Sequence, residues 1–487
     1  MRLDEDSPRP VSASPGGQPK ITPIDQRPRP LLRRQIGLYA ATAVTVGSII
    51  GSGIFRSPHS VARELHTEAL MLAAWVVGGL LSMAGSLVLA ELAVQHPRTG
   101  GLYVFIREGF GRRLAFVFGW ASLAVIKPTV IASITSVFAI YACQAVGWPA
   151  AAQFPVGLAA IGVLTFVNWL GVREGANTQT ILTTLKVAGI LALCGAAFGL
   201  RHSGPTGAAT SAVPLSTHPL LIAFVAAMIP ILFAYDGWTD STYVAGEIVN
   251  PRRNLPIAIL GGTAIVIAVY VVTNLAYFAV LSPSEVAAYE AVGSETVRRV
   301  LGEWGGRALA VLVAVSTFGT ISASILTGPR VTLAMAADGL FWSRAAHVHP
   351  RRGTPDFALW LQCALACIWL AAASRGFEDV SGWFVTTSWL FYGLTIAAIF
   401  IQRGRAARGT PAAVEAAPDP DAEAPAGSRS YRTPIFPLTP IIFILVTITI
   451  IVSDLAASQW RAMAGVLVAA LGFPIYHVWK GRGASGR

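Results

Sequence analysis

Charge is scarce in this chain. Only 13% of its 487 residues are Asp, Glu, Lys or Arg, against about 25% in ordinary soluble domains, so a water-soluble globule of this size is excluded. Cysteine is scarcer still, with four residues: Cys143, Cys194, Cys363 and Cys367, all in or at the ends of apolar runs. Cys363 and Cys367 share a helix face, yet no His, Asp or Glu accompanies them in that run, so they read as packing residues and not as a metal site or a disulfide. The eight histidines are scattered, mostly in loops and termini. No Walker motif, GxSxG elbow or HExxH occurs, which leaves ATP-driven transport and hydrolysis without the groups they need. The first 36 residues, rich in Pro, Arg and Ser, lack the apolar core of a cleaved signal peptide.

Long apolar runs fill the space left by charge. Hydrophobic residues make up 54% of the chain and mean hydropathy is +0.59. Runs of about twenty residues recur, enough to cross roughly 30 Å of hydrocarbon at about 1.5 Å per residue. Twelve are expected, near 37–60, 69–94, 114–142, 154–171, 177–199, 217–245, 256–281, 306–333, 356–374, 380–401, 434–454 and 460–479. The net charge of +11 follows this pattern and is not a nucleic-acid surface. With the N-terminus placed in the cytoplasm, 25 of the 36 Lys and Arg fall on that side and 8 outside. That asymmetry is the positive-inside signature, and it places both termini in the cytoplasm.

Two spans weaken themselves. The first contains GSIIGSGIFRSP (47–58), although each glycine costs about 1 kcal/mol relative to alanine inside a helix. The sixth contains FAYDGWTDSTYVAGEIVNPRRNLP (233–256), with Asp236 and Gly237 at mid-span between Tyr235 and Trp238. A charge at the bilayer centre costs at least about 2.5 kcal/mol and normally faces protein or a water-filled cavity. The two breaks lie five spans apart, so a second five-helix unit starts on the opposite side of the membrane. Matched broken helices in two inverted halves point to a transporter binding site, as in the leucine-transporter fold. Unwound backbone frees N–H and C=O groups that a zwitterion can satisfy. Amides near Gly51, Ser52 and Gly53, at the positive end of a half-helix, favour a carboxylate. Carbonyls around Phe233, Ala234 and Tyr235 suit an ammonium group. Taken alone, GSG also has the form of a close helix–helix contact, because small residues crowd such interfaces.

These stretches, together with ELAVQHPRTGGLYVFIREGFG (91–111) and STFGTISASILTGPRVTLAMAADG (316–339), resemble the amino acid–polyamine–organocation superfamily. The similarity is greatest to its L-type amino acid transporter branch and to the bacterial serine/threonine exchangers allied to it. The motifs run in order from residue 37 to about 400. The resemblance implies an all-α polytopic membrane protein with a leucine-transporter-like fold: two inverted five-helix repeats plus two peripheral helices. The expected organisation is a disordered cytoplasmic tail (1–36), repeats at 37–199 and 200–401, a polar cytoplasmic linker (402–433), helices eleven and twelve (434–479) and a short tail (480–487).

The same resemblance assigns roles. The substrate carboxylate lies against Gly51, Ser52 and Gly53, and its amino group meets carbonyls of Ile49, Ile50, Phe233, Ala234 and Tyr235. Phe233 matches the external gate, and Asp236, Gly237 and Thr239 occupy positions that bear on side-chain selectivity. Asp236 either faces the cavity or holds the broken helix by bonding free amides. Lys186, about 15 Å deep in span five at about 1.5 Å per residue, matches the lysine whose ammonium replaces a sodium ion in sodium-independent relatives. Lys127, before Pro128 in span three, and Trp238 are expected to support the site. Arg330 and Asp338 read as an interfacial ion pair or gate element, and Glu91 reads similarly. Glu247 is expected to cap a helix or pair with Arg252 or Arg253.

The implied function is a secondary active amino acid transporter, exchanging neutral amino acids without sodium by alternating access. Proton-coupled symport is the alternative within that class, and a non-transporting amino acid sensor is the alternative outside it. No enzyme activity, cofactor, metal or nucleic acid is expected. Some eukaryotic relatives join a glycoprotein through an extracellular cysteine between helices three and four. Here Cys143 ends span three but the loop is short, so a solitary transporter of a bacterial inner membrane is expected.

Overall fold

The computed structural model describes residues 32–200, 218–373, 377–408 and 431–485, and these are almost entirely helical. In chain order the helices are α1 (Leu38–Ile49), α2 (Gly53–Glu64), α3 (Glu68–Gln95), α4 (Leu102–Phe110), α5 (Arg112–Ala121), α6 (Lys127–Val146), α7 (Gln153–Leu170), α8 (Val172–Gly199), α9 (Leu220–Ala234) and α10 (Asp240–Tyr243). They continue as α11 (Pro251–Phe278), α12 (Pro283–Ala288), α13 (Val292–Leu301), α14 (Glu303–Thr327), α15 (Pro329–Ala337), α16 (Asp356–Ala373), α17 (Phe377–Ala407), α18 (Leu438–Ala470) and α19 (Gly472–Ser485).

Among the described residues, six helical stretches are long and apolar enough to cross a membrane, and α1 with α2 forms a seventh, bent by 40° at its break. Shorter apolar helices cover parts of the remaining expected spans, Leu220–Ala234, Asp356–Ala372, Leu438–Ser453 and Met463–Trp479 among them. The chain is therefore an all-helical membrane protein. Exposed apolar side chains such as Val163, Phe166, Leu185 and Leu191 suit a lipid surround, where they have no water to avoid.

The first-span helix lies innermost, packed between α11, α8 and α14, while α2 packs on α9. Both weakened spans are interrupted. Residues 50–52 separate α1 from α2, and α9 stops at Ala234, followed by turns, the single turn of α10 and a 3-10 turn at Ala245–Glu247.

Three expected boundaries move. The tail does not stay unstructured up to residue 36: Gln35 and Ile36 donate backbone hydrogen bonds to Glu247 O (2.8 and 2.9 Å), and Val249 N donates to Ile36 O (3.0 Å). Extended backbone at 247–249 offers unpaired groups that this short parallel bridge satisfies. The break expected between spans eleven and twelve is absent, because DLAASQW (454–460) holds neither glycine nor proline and α18 continues through it. Of the linker expected at 402–433, the part up to Ala407 is helical, and the described residues resume at Tyr431. Its centre, like residues 1–31 of the tail and the loop at 201–217, lies outside the described residues.

Candidate binding site between the two broken helices

The first break exposes carbonyls that would go unpaired in lipid. Lys186 on α8 satisfies two of them. Its Nζ donates to Ile50 O (2.7 Å), Gly47 O (3.0 Å) and Thr320 Oγ1 (3.0 Å), and the side chain is fully buried. Thr320 on α14 also donates towards Ile50 O (2.9 Å), and Ser316 lies 3.3 Å from Gly51 O. The ammonium thus occupies a place bounded by two carbonyls and a hydroxyl, joining α8, the first break and α14. On the other side of the break, Gly51, Ser52 and Gly53 open α2, where the first N–H groups of a helix have no partner four residues back.

The second break is held against the first. Gly237 has φ +112°, and a Cβ there would lie 2.7 Å from the carbonyl carbon of Ser48, so only glycine fits both the conformation and the approach. Tyr270 on α11 bridges the two breaks, its hydroxyl lying 3.1 Å from Ile49 O and 2.9 Å from Ala234 O. Gly53 has a packing role beside any binding role, for its Cβ would fall 2.6 Å from Ala234 Cα. The close contact expected of GSG is thus present at Gly53, and it leaves Gly51 facing Thr320 across ordinary contact distance.

A cavity lies between these breaks. Of the residues singled out from sequence, Ile49, Gly51, Ser52, Gly53, Phe233, Ala234, Asp236, Gly237 and Lys127 line it. The others stand behind its wall. Ile50 presents its carbonyl to Lys186 and Thr320. Tyr235 packs edge-on against Trp75 and tilted against Tyr270. Trp238 packs on Tyr392 and Phe443, and Thr239 is buried with its carbonyl accepting from Thr242 Oγ1 (2.6 Å). Asp236 both lines the cavity and ties helices together, since its Oδ1 accepts from the Tyr392 hydroxyl of α17 at 2.7 Å.

Lys127 is engaged by Asp240. Its Nζ donates to Asp240 Oδ1 (2.8 Å) and lies 4.7 Å from the Tyr243 ring centroid, while Thr327 Oγ1 donates to Asp240 Oδ2 (3.1 Å). Of this buried cluster, Lys127, Asp240 and Tyr243 line the cavity. Deeper on the same side, Arg330 grips Glu247 with both ends of its guanidinium (2.9 and 3.0 Å). This corrects the pairing expected from sequence: Glu247 bonds Arg330, not Arg252 or Arg253. The 3-10 turn aims Glu247 inward, where it is fully buried, whereas Arg252 and Arg253 start α11 with exposed side chains. Asp338 correspondingly pairs with Arg107 and not with Arg330. On α4, outside the spans, burial opposes the Arg107 charge, but Asp338 and Glu108 hold it protonated above the usual arginine range. Glu91 accepts both a bidentate Arg403 (2.9 and 2.6 Å) and the Thr433 amide (2.6 Å).

A family model described as amino acid permease matches residues 36–471. The chain belongs to this family. It is 32% identical to the serine/threonine exchanger SteT of Bacillus subtilis (strain 168) over 457 residues, covering 93% of this chain and 98% of the relative. It is 31% identical to the Asc-type amino acid transporter 1 of Mus musculus over 467 residues, covering 93% and 83%. It is 33% identical to the b(0,+)-type amino acid transporter 1 of Homo sapiens over 381 residues, 76% of each chain. These relatives are transporters and not enzymes, and the chain is an integral membrane member of their superfamily.

Several site residues escaped the sequence. Asp240 is a second carboxylate four residues after Asp236, at the start of α10 beyond the non-helical turn at Gly237, and a further acidic residue in an apolar span was a signal there to use. Thr320 sits in a hydroxyl-rich run of an apolar span. Ser133 and Ser388 sit in similar hydroxyl-rich runs, KPTVIASITS and VTTSW, whereas Tyr270 and Tyr392 are tyrosines in apolar helices that the sequence does not distinguish from ordinary packing.

Proposed function

We propose that the chain is a secondary active transporter exchanging neutral amino acids without sodium, by alternating access in a leucine-transporter-like frame of twelve spans built from two inverted five-helix repeats. Both termini face the cytoplasm of a bacterial inner membrane, and the protein works without an obligatory partner. The observation that carries this reading is the Lys186 ammonium among Gly47 O, Ile50 O and Thr320 Oγ1. Carbonyl and hydroxyl oxygens at such an unwound segment are what a sodium ion would use as ligands. A lysine side chain fixed there fills that place itself, so no sodium gradient enters the cycle.

The substrate carboxylate takes the amides at Gly51, Ser52 and Gly53, aided by the positive end of α2. Its ammonium takes the carbonyl side, at Ile49, Phe233 and Ala234, with Phe233 closing the cavity from outside. The relative's name, an exchanger, favours exchange over one-way uptake. Cys143 is buried in the last turn of α6, a placement that does not offer its thiol to another chain.

The test is uptake of labelled amino acids into proteoliposomes, empty or preloaded. Uptake is expected only into preloaded vesicles, unchanged when sodium is replaced by choline. Accumulation in empty vesicles driven by an inward pH gradient would replace exchange by proton symport, and binding without uptake would indicate a sensor. Lys186→Ala leaves Gly47 O and Ile50 O to share the single Thr320 hydroxyl, so one buried carbonyl loses its donor at about 1–3 kcal/mol. The variant is expected to reduce exchange at least about tenfold in protein that still elutes as a single species. Uptake at the wild-type rate would refute the role given to Lys186.

A further inference from the structure

The segment leading into α16 is basic. From Ser343 to Pro355 it carries Arg344, His347, His349, Arg351 and Arg352 and no acidic residue. Its last part is a tight loop, closed by His349 N donating to Thr354 O (2.9 Å) and Gly353 N to His349 O (2.8 Å). His349 Nδ1 accepts the backbone amides of Arg351 and Arg352 (3.3 and 3.2 Å), so the backbone that carries both arginines is fixed. The loop leans on the corner between α7 and α8. The Arg352 guanidinium lies over the Trp169 ring, 3.8 Å from its centroid, and a Cβ on Gly353 would stand 4.0 Å from Val172 Cγ2. Arg351 and Arg173, each next in sequence to one of these contacts, are exposed.

The carboxylates at this corner are turned to protein groups. Asp356 accepts from Arg352 Nη2 (2.9 Å) and Thr354 Oγ1 (2.8 Å). Glu174 folds back over Gly171, where a Cβ would meet its Oε2 at 2.0 Å. Arg352 Nε, by contrast, is buried and has no hydrogen-bond partner. Apolar side chains continue the surface from the arginines. Trp169 packs against Phe166 and Trp360, with ring centroids 5.7 and 6.5 Å apart, and Phe166, Leu170 and Trp360 are 49%, 45% and 44% exposed. Tryptophan in a membrane protein marks the depth at which hydrocarbon gives way to headgroups, so arginines stacked on it stand at phosphate depth. We infer that Arg173, Arg351 and Arg352 bind the phosphate of an anionic phospholipid whose acyl chains lie along Phe166, Leu170 and Trp360. Guanidinium groups match phosphate oxygens in geometry and charge, and basic sites between helix ends take anionic headgroups. The occupant is a lipid because the cations run directly into an apolar strip, which a soluble anion would not use. In the orientation proposed above, the lipid belongs to the cytoplasmic leaflet. The assignment requires that the chain sit in a membrane and is independent of what it carries.

The experiment titrates phosphatidylglycerol, phosphatidylethanolamine and inorganic phosphate against the full-length protein in detergent. Native mass spectrometry reads the bound lipid, and a thermal melt reads stabilisation. Phosphatidylglycerol is expected to bind in preference to phosphatidylethanolamine and to raise the melting temperature, and phosphate to do neither. Arg173→Gln with Arg351→Gln should weaken phosphatidylglycerol binding at least about tenfold, as two arginines lost from a lipid surface would. The lipid-free melting temperature should not change, because both side chains are exposed. Arg173→Lys with Arg351→Lys keeps both charges and should retain most of the binding. Arg307→Gln, at an exposed arginine on α14, should retain all of it. Unchanged affinity in the glutamine double variant, equal binding of the two lipids, or an equal loss in Arg307→Gln would overturn the assignment. Stabilisation by inorganic phosphate as large as that by phosphatidylglycerol would make this a site for a soluble anion and overturn it too. None of these outcomes bears on amino acid transport, which the uptake assay tests separately.

Discussion

Gly51 and Gly53 stand two residues apart and do different work. A Cβ on Gly53 would collide with the Ala234 backbone, whereas one on Gly51 would meet the Thr320 Oγ1 at 3.4 Å, close to ordinary contact. Gly53→Ala is therefore expected to destabilise the fold by about 1–3 kcal/mol through overpacking. Gly51→Ala should keep the wild-type melting temperature within a few degrees while weakening substrate binding, because the added methyl crowds the opened amides. Thermal unfolding followed by size-exclusion fluorescence, beside binding in detergent, separates the two. Equal melting temperatures for both variants would contradict the packing role of Gly53. Asp236 makes a similar point: sequence left it either facing the cavity or bonding free amides of the broken helix, and the structure has it lining the cavity while accepting from the Tyr392 hydroxyl of α17.

At the scale of elements, the segment that follows α9 is the piece most in need of support. After Ala234 it has one turn of α-helix and one of 3-10 helix, too short to be stable alone. Two buried ion pairs hold it to its neighbours, Lys127–Asp240 and Arg330–Glu247. The second is nearly solvent-free, with side-chain exposures of 1% and 0%. Breaking it with Glu247→Gln leaves a buried guanidinium without its counter-charge, at about 3–5 kcal/mol. Pairing that change with Arg330→Met should recover much of the loss, since replacing both partners of a buried pair is often near neutral. A thermal melt of the two single variants and the double variant measures the coupling; additive losses would show that the pair does not act as a unit. Which arginine Glu247 chose was not legible in NPRRNLP, because Arg252 and Arg253 are adjacent in sequence while Arg330 arrives from another helix.

For the whole molecule, the proposed orientation follows from where Lys and Arg fall in the sequence. A single cysteine replacing Arg307, in a background without the four native cysteines, is expected to react with an impermeant maleimide applied outside the cell. One replacing Arg408 should react only after permeabilisation. The reverse pattern would invert the topology and with it the assignment of the ion-pair cluster to the cytoplasmic side. That cluster is a property of the assembled molecule: Arg107–Asp338, Glu91–Arg403, Arg330–Glu247 and Lys127–Asp240 each join residues at least 83 positions apart.

Sequence alone determined what depends on composition and local pattern. Scarce charge and recurring apolar runs dictate a membrane protein, and the paired interruptions at GSG and AYDG mark where its backbone opens, because glycine and a buried carboxylate weaken a helix wherever it sits. The tertiary structure decided what depends on which helices meet. It set Lys186 against carbonyls of the first span, Glu247 against Arg330, Tyr270 across both breaks, and Lys127 against Asp240 at one cavity. The physical reason is range. Glycine weakens a helix through its own backbone freedom, whatever packs beside it, but a buried polar side chain acquires its role only from the partner, or the opening, that packing brings to it.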